Sequence, residues 1–256
     1  MLVEYLVRGV KAGAVAGVAF GLFVALVANP LVGFADDRAH AAGADGDHVA
    51  DHGGGDGLPA AVTDAVSVAS GALWGLFLGA AGFGVAFYLL EPIVPGRAGV
   101  DSYVFGLAGF LTVSGAPWLV LPPTVPGVER ALDPTMGSLL YVGLVLAGGV
   151  ACVAGMAAYD RLRPEWSRSA ATLAATAPYG LLVVAAAAAP TDGLATATES
   201  ALEPALASGL VGVVVFGQAL VWLLLAAVHA RLRDDARPTD RPDGSGLPDG
   251  APAGER

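Results

Sequence analysis

Two apolar stretches carry glycine at every fourth position: Gly9, Gly13, Gly17 and Gly21 in the first, Gly71, Gly75 and Gly79 in the second. On an α-helix a spacing of four stacks residues along one stripe. A glycine in a water-exposed helix costs about 1 kcal/mol relative to alanine, so a ladder of them needs a compensating contact. Close approach of two backbones in lipid supplies one, because packing between small residues holds helices together where no hydrophobic effect acts between them. The spacing predicts that Gly9–Leu26 and Gly71–Leu89 are neighbouring helices in close contact. The plainer alternative is that small residues abound in any alanine- and glycine-rich membrane chain.

Hydrophobic residues make up 55% of the 256 positions and charged residues 14%, against roughly 25% charge in a soluble domain. That is the composition of a protein whose main partner is the lipid bilayer. Six candidate spans lie near residues 12–34, 66–90, 103–121, 138–159, 170–190 and 206–229, each close to the ~20 residues that cross ~30 Å of hydrocarbon. The expected fold is all-α, a polytopic helix bundle of about six transmembrane helices over residues 1–232, with a tail at 233–256. Arg8 and Lys11 precede the first apolar run as in a signal peptide, but that run exceeds the ~7–15 residues of a signal core. The single cysteine, Cys152, excludes an intrachain disulfide framework and multi-cysteine zinc motifs.

Between the two ladders, loop 35–64 holds three of the four histidines, His40, His48 and His52, among Asp36, Asp37, Asp45, Asp47, Asp51, Asp56 and Asp64. The net charge is −10, with Lys11 alone against twelve arginines. Such acid-rich, lysine-poor chains resemble those of halophilic archaea, so part of the loop's acidity is expected to be adaptation to salt. Basic residues near span ends set orientation. Arg8, Lys11, Arg97, Arg161, Arg163, Arg168 and the five arginines from Arg231 onward fall on one side, and Arg38 and Arg130 on the other. Both termini are therefore expected in the cytoplasm, in a multi-pass protein of the cell membrane, with the histidine loop outside. The tail, with Pro238, Pro242, Gly244, Gly246, Pro248 and Gly250 among charges, is too polar to bury a core and is expected to be disordered.

Pro117 and Pro178 interrupt the third and fifth spans. A proline removes the helix bond to the carbonyl four residues back, here Val113 and Ala174, and such freed groups persist where protein or water satisfies them. The third span runs Phe105-Gly106-Leu107-Ala108-Gly109-Phe110, then Ala116-Pro117, Leu121-Pro122-Pro123 and Pro126-Gly127. This pattern resembles the family of probable cobalt transporter subunits CbtA, in which a similar glycine-rich helix leads to a proline-rich exit and an acidic, histidine-bearing loop follows the first span. Thr124-Val125 stands where that family has glutamate-leucine, and its arginine and paired tryptophans after the glycine are missing here. The resemblance implies cobalt uptake, a small single-span partner subunit, CbtB, and a link to corrinoid synthesis.

Imidazole and carboxylate together suit Co²⁺, Ni²⁺ or Zn²⁺, and ligand type alone does not choose among them. His48 and His52, four apart with Asp51 beside them, face one way if a helical turn forms there, and His40 completes a candidate metal set. At molar salt the Debye length is about 3 Å, so such a loop would act by direct coordination and not by long-range steering. No carboxylate or histidine falls in the middle of a span. The candidates to line a route are Asn29, Ser114, Pro117, Thr176, Tyr179 and Gln218, with Cys152 and Met156 as soft donors one turn apart. Lys11 lies outside any phosphate-loop context, so ATP hydrolysis within this chain is unsupported. No cofactor and no nucleic-acid partner is expected. The rival readings are a non-transporting membrane scaffold and an intramembrane serine protease built on Ser70, for which the only intramembrane histidine, His229, is expected at the opposite, cytoplasmic end of its span, out of hydrogen-bond reach.

Overall fold

The computed structural model describes residues 2–43, 59–96, 99–124, 132–188 and 204–235, and for 39–43 the backbone only. Six helices account for nearly all of them. α1 runs without a break through Leu2–Phe23, a π-helical stretch Val24–Ala28, and Asn29–Gly43. α2 joins Ala60–Phe77, π-helical Leu78–Ala86, Phe87–Leu90 and a closing 3₁₀ turn, Glu91–Ile93. α3 joins Val100–Phe110, π-helical Leu111–Gly115 and Ala116–Trp118. α4 is Pro134–Leu162, α5 spans Arg168–Ala187 with a break at Thr176, and α6 is Pro204–Asp235. Among the described residues there is no strand.

Five of these, α1, α2, α4, α5 and α6, are long and apolar enough to cross a membrane by length and composition. α3, the expected third span, is helical throughout but carries Asp101, Ser102, Thr112 and Ser114. Three boundaries differ from the sequence expectation, one of them the start of α2 at Ala60, inside the segment 35–64 read as loop. Helix continues through Ala35–Gly43, into the segment read as loop, where the Arg38 guanidinium lies 4.9 Å from the Phe34 ring centroid. At the other end α6 runs to Asp235, so Arg233, assigned to the tail by its charge, is helical.

The glycine ladders meet. A β-carbon placed on Gly17 would lie 2.5 Å from the Gly71 carbonyl oxygen, and one on Gly71 would lie 2.5 Å from the Gly21 Cα. One on Gly79 would fall 2.7 Å from the Gly13 Cα, and one on Gly9 would fall 2.6 Å from the Gly84 nitrogen. These are backbone atoms with nowhere to go, so glycine is required at each step of the contact. Ala12 and Ala16 on the same helix are fully buried and belong to the central core with Phe83, Phe87, Phe105, Val221, Trp222 and Leu225.

α6 crosses α1 and then packs against α3, where two glycines of the Gly106–Gly109 motif explain themselves. A β-carbon on Gly109 would meet the Trp222 indole, and one on Gly106 would lie 2.8 Å from the Ala226 methyl. Phe105 of the same motif sets its edge against the rings of Phe83 and Phe87, with centroids 5.2 and 5.1 Å away. α4 begins on a proline after Asp133, whose carboxylate accepts from the backbone N–H groups of Thr135 and Met136 at 2.9 and 3.2 Å. Such a cap satisfies donors that the first helical turn leaves free. α4 then packs on the π-helical part of α3 through Gly148, and α5 packs on α4 with Gly155 against the Ala175 carbonyl.

Candidate functional site

The most unusual local chemistry lies where α3 loses its regular hydrogen-bond ladder. Pro117 has no N–H to offer the Val113 carbonyl, and the helix widens into a π-helix over Leu111–Gly115. Carbonyls released this way at membrane depth need partners from protein or water. For Val113 the partner is Tyr141 of α4, whose hydroxyl donates to that oxygen at 3.0 Å; the Leu111 oxygen, which accepts the Ala116 N–H within the π-helix, accepts in addition from Tyr179 of α5 at 3.2 Å. Gly115 makes room, since a β-carbon there would lie 2.7 Å from the Tyr179 hydroxyl.

More polar groups converge on the same stretch. Ser114, buried, donates to the Gln218 side-chain oxygen of α6 at 3.5 Å. Thr112 donates to the Cys152 sulfur at 3.7 Å, and that thiol faces the Ala108 carbonyl at 3.7 Å. The result is a seam of hydroxyl, carbonyl, amide and thiol groups in an otherwise apolar bundle. π-Helical segments recur at functional sites in other proteins, because they expose backbone groups that a regular helix conceals.

Two cavities approach this seam from opposite ends. One, of about 900 Å³, is bounded by the exit of α3 and the start of α4, with Pro117, Trp118, Thr124, Asp133, Ser138 and Tyr141 in its wall. The other, of about 620 Å³, lies among α3, α4 and α5 and is lined by Leu111, Cys152, Met156, Thr176 and Tyr179. It reaches Gly96 and Val100 at the turn between α2 and α3. Tyr141 belongs to the first wall and Tyr179 to the second, so their two hydroxyls stand at the junction on carbonyls two residues apart.

Of the residues singled out from the sequence, the structure gathers Ser114, Pro117, Tyr179, Gln218 and Cys152 at or beside the seam, and Thr176 and Met156 along the second cavity. Asn29 is elsewhere. Its amide donates to Asp64 at 3.0 Å and Ser67 at 3.1 Å, joining α1 to the start of α2. The backbone of His40 lies in the helical extension of α1, and His48, Asp51 and His52 lie outside the described residues. Among the described residues no group of three or more His, Cys, Asp and Glu is placed to hold a metal. Ser70 and His229 are not brought together: Ser70 is exposed, while His229 is fully buried with its Nδ1 3.0 Å from the hydroxyl of Ser102.

Sequence reasoning missed Thr112 and Tyr141. The hydroxyl of Tyr141 was in view, but its use depends on α4 lying against α3, which no local pattern announces.

Long apolar helices packed around a polar seam define a multi-pass helical membrane protein. The chain belongs to the family of probable cobalt transporter subunits, CbtA, whose model matches residues 2–234. No curated protein and no solved structure matches it.

Proposed function

We propose that this chain is the membrane subunit of a divalent metal importer, cobalt by its family, and that the ion travels along the side of α3 that faces α4 and α5. The observation that carries this is the pair of cavities beside α3, one lined by Pro117 and Tyr141 and the other by Leu111 and Tyr179, with Tyr141 on the Val113 carbonyl that Pro117 leaves free. An ion that sheds water needs replacement oxygens, and selective pores commonly supply them from backbone carbonyls. A carbonyl oxygen has two lone pairs, so the Tyr141 hydroxyl on the Val113 oxygen leaves one for cargo or its water.

In this reading all six helices cross the membrane, both termini are cytoplasmic, and the proline-bounded cavity with Asp133 opens outside. The outer loop then collects metal through His40, His48, Asp51 and His52. A small single-span subunit is the partner that fits the family's description as a subunit, and the exposed Leu173, Leu181 and Val184 of α5 offer apolar surface for lipid or such a helix.

Plugging the route tests the reading. Gly137 lines the first cavity and Gly180 the second, and a β-carbon on either meets nothing within 4 Å. Gly137→Phe and Gly180→Phe should each cut radiolabelled cobalt uptake, in cells lacking the native gene, about tenfold without loss of protein. Gly212→Phe, equally free of contacts but in neither cavity, is the control. Unchanged uptake in both plugged variants would leave the chain a scaffold.

A further inference from the structure

At the end of the bundle where α1 begins and α6 ends, one arginine ties four helices together. Arg233 of α6 holds Glu91 of α2 at 2.7 Å through Nη2 and Asp101 of α3 at 2.9 Å through Nη1, with its side chain 13% exposed. Tyr5 of α1 donates its hydroxyl to the other oxygen of Glu91. The guanidinium also stacks 5.0 Å from the centroid of Phe87.

The carboxylates are held at the end of α2 and the start of α3. Asp101 accepts from the backbone N–H groups of Gly99 at 3.0 Å and Ser102 at 2.8 Å, and so fixes the start of α3. Glu91 opens the 3₁₀ turn that ends α2. The turn between them uses glycine at positive φ, +146° at Gly96 and +93° at Gly99, conformations that side-chain-bearing residues seldom adopt. The same turn, through Pro95, Gly96 and Val100, is the wall at one end of the second cavity.

Against this network sits a sealed aromatic box. His229 lies 5.0 Å from Phe83 and 4.8 Å from Phe87, centroid to centroid, and its Nε2 is buried with no hydrogen-bond partner among the described residues. A buried polar nitrogen left unpaired is unfavourable in this arrangement and gains a partner if water enters. A buried ion pair is weak evidence of stabilisation, since desolvation offsets its attraction. A role in switching accounts for it better.

We infer that Arg233, with Glu91 and Asp101, is an ion-pair latch that closes the far end of the second cavity, and that Arg233 must release the end of α2 and the start of α3 for an ion to pass. The latch rests on the route along α3 proposed above. Breaking it lets the start of α3 move away from α6 and admits water to Ser102 and His229.

Thiol accessibility reads the latch without requiring transport. Ser102, fully buried, is replaced by cysteine in a Cys152→Ser background, and the full-length protein in lipid nanodiscs is titrated with N-ethylmaleimide. Adding Arg233→Gln should speed labelling at position 102 at least tenfold, whereas Arg233→Lys, which keeps the charge, should leave it within about threefold of the parent. Labelling in Arg233→Gln within twofold of the parent would overturn the latch. If Arg233→Gln does not fold, Asp101→Asn keeps the two backbone bonds but loses the charge, and should speed labelling about threefold; no change there would overturn the latch equally. Flat labelling together with blocked uptake in Gly180→Phe refutes the latch alone, and intact uptake in Gly180→Phe refutes the route on which it rests.

Discussion

Glycine does opposite things on the two sides of this molecule. Between α1 and α2 it removes every side chain from the contact, so that Gly13, Gly17 and Gly21 lie directly on the backbone of Gly71, Gly75 and Val68, and nothing separates the helices. Between α3 and its neighbours α4 and α5, Gly115, Gly148 and Gly155 also permit close approach, but the space they open is shared with Tyr179, Thr112 and the Ala175 carbonyl. π-Helical stretches occur on both sides, at Val24–Ala28 and Leu78–Ala86 as well as Leu111–Gly115, but it is beside α3 that cavities of about 900 and 620 Å³ lie among polar side chains. A dry contact between backbones has one arrangement. A polar contact beside cavities leaves room for side chains to rearrange, which is what the proposed route requires.

The comparison breaks most sharply at the ladder. Gly17→Leu or Gly75→Leu drives a side chain into backbone atoms, and overpacking of this kind costs about 3 kcal/mol or more where the surroundings cannot shift. Both variants are expected to lose assembled protein in the membrane, while Gly143→Leu, where a β-carbon meets nothing within 4 Å, is expected to be silent. Wild-type yield and thermal stability in both ladder variants would show that the contact is not holding the bundle.

Smaller changes sharpen the other side. Tyr141→Phe and Tyr179→Phe each delete one hydroxyl from a carbonyl of α3, a loss of about 1 kcal/mol of stability. Their larger effect should be on function, with maximal cobalt uptake altered about fivefold in either direction at normal expression. Uptake rates equal to wild type in the double variant would remove the seam from the route.

The collecting loop predicts an effect on affinity and not on maximal rate. Replacing His40, His48 and His52 together by alanine should raise the cobalt concentration for half-maximal uptake, with the maximal rate nearly unchanged. Imidazole coordinates only when neutral, so wild-type uptake at scarce cobalt should fall as pH drops through about 6.5. The triple variant should lose that dependence. Identical concentration curves for the two proteins would make the loop a salt-adapted linker.

The weakest perturbation fixes direction. With Cys152→Ser as background, Ala44→Cys should react with an impermeant thiol reagent on intact cells and Ala236→Cys should not. Reaction at 236 would invert the bundle or change the number of crossings.

Much of the fold was legible because its rule is local. A stripe of glycines spaced by four, read on a helix in lipid, leaves close contact as its use, and Gly9 through Gly79 could be paired before any coordinate was known. Pro117 likewise announced a freed carbonyl at Val113. What it did not announce was the donor, since Tyr141 is 28 positions away and meets that carbonyl only because Gly148 lets α4 settle onto α3.

The charges show the same division. Hydropathy alone assigned Arg233 to a solvated tail and gave Asp101 no role, because a window average scores each charge by itself. Within the fold Arg233 stands between Asp101 and Glu91, 132 and 142 positions earlier in the chain, and each of the three is tolerated near the core because the others are there. Sequence by itself determined the all-helical class, the close contact of the first two helices, and the family to which the chain belongs. Only the tertiary structure decided which polar groups meet, because a hydrogen bond or an ion pair is fixed by distance in space, and the residues that make these are far apart along the chain.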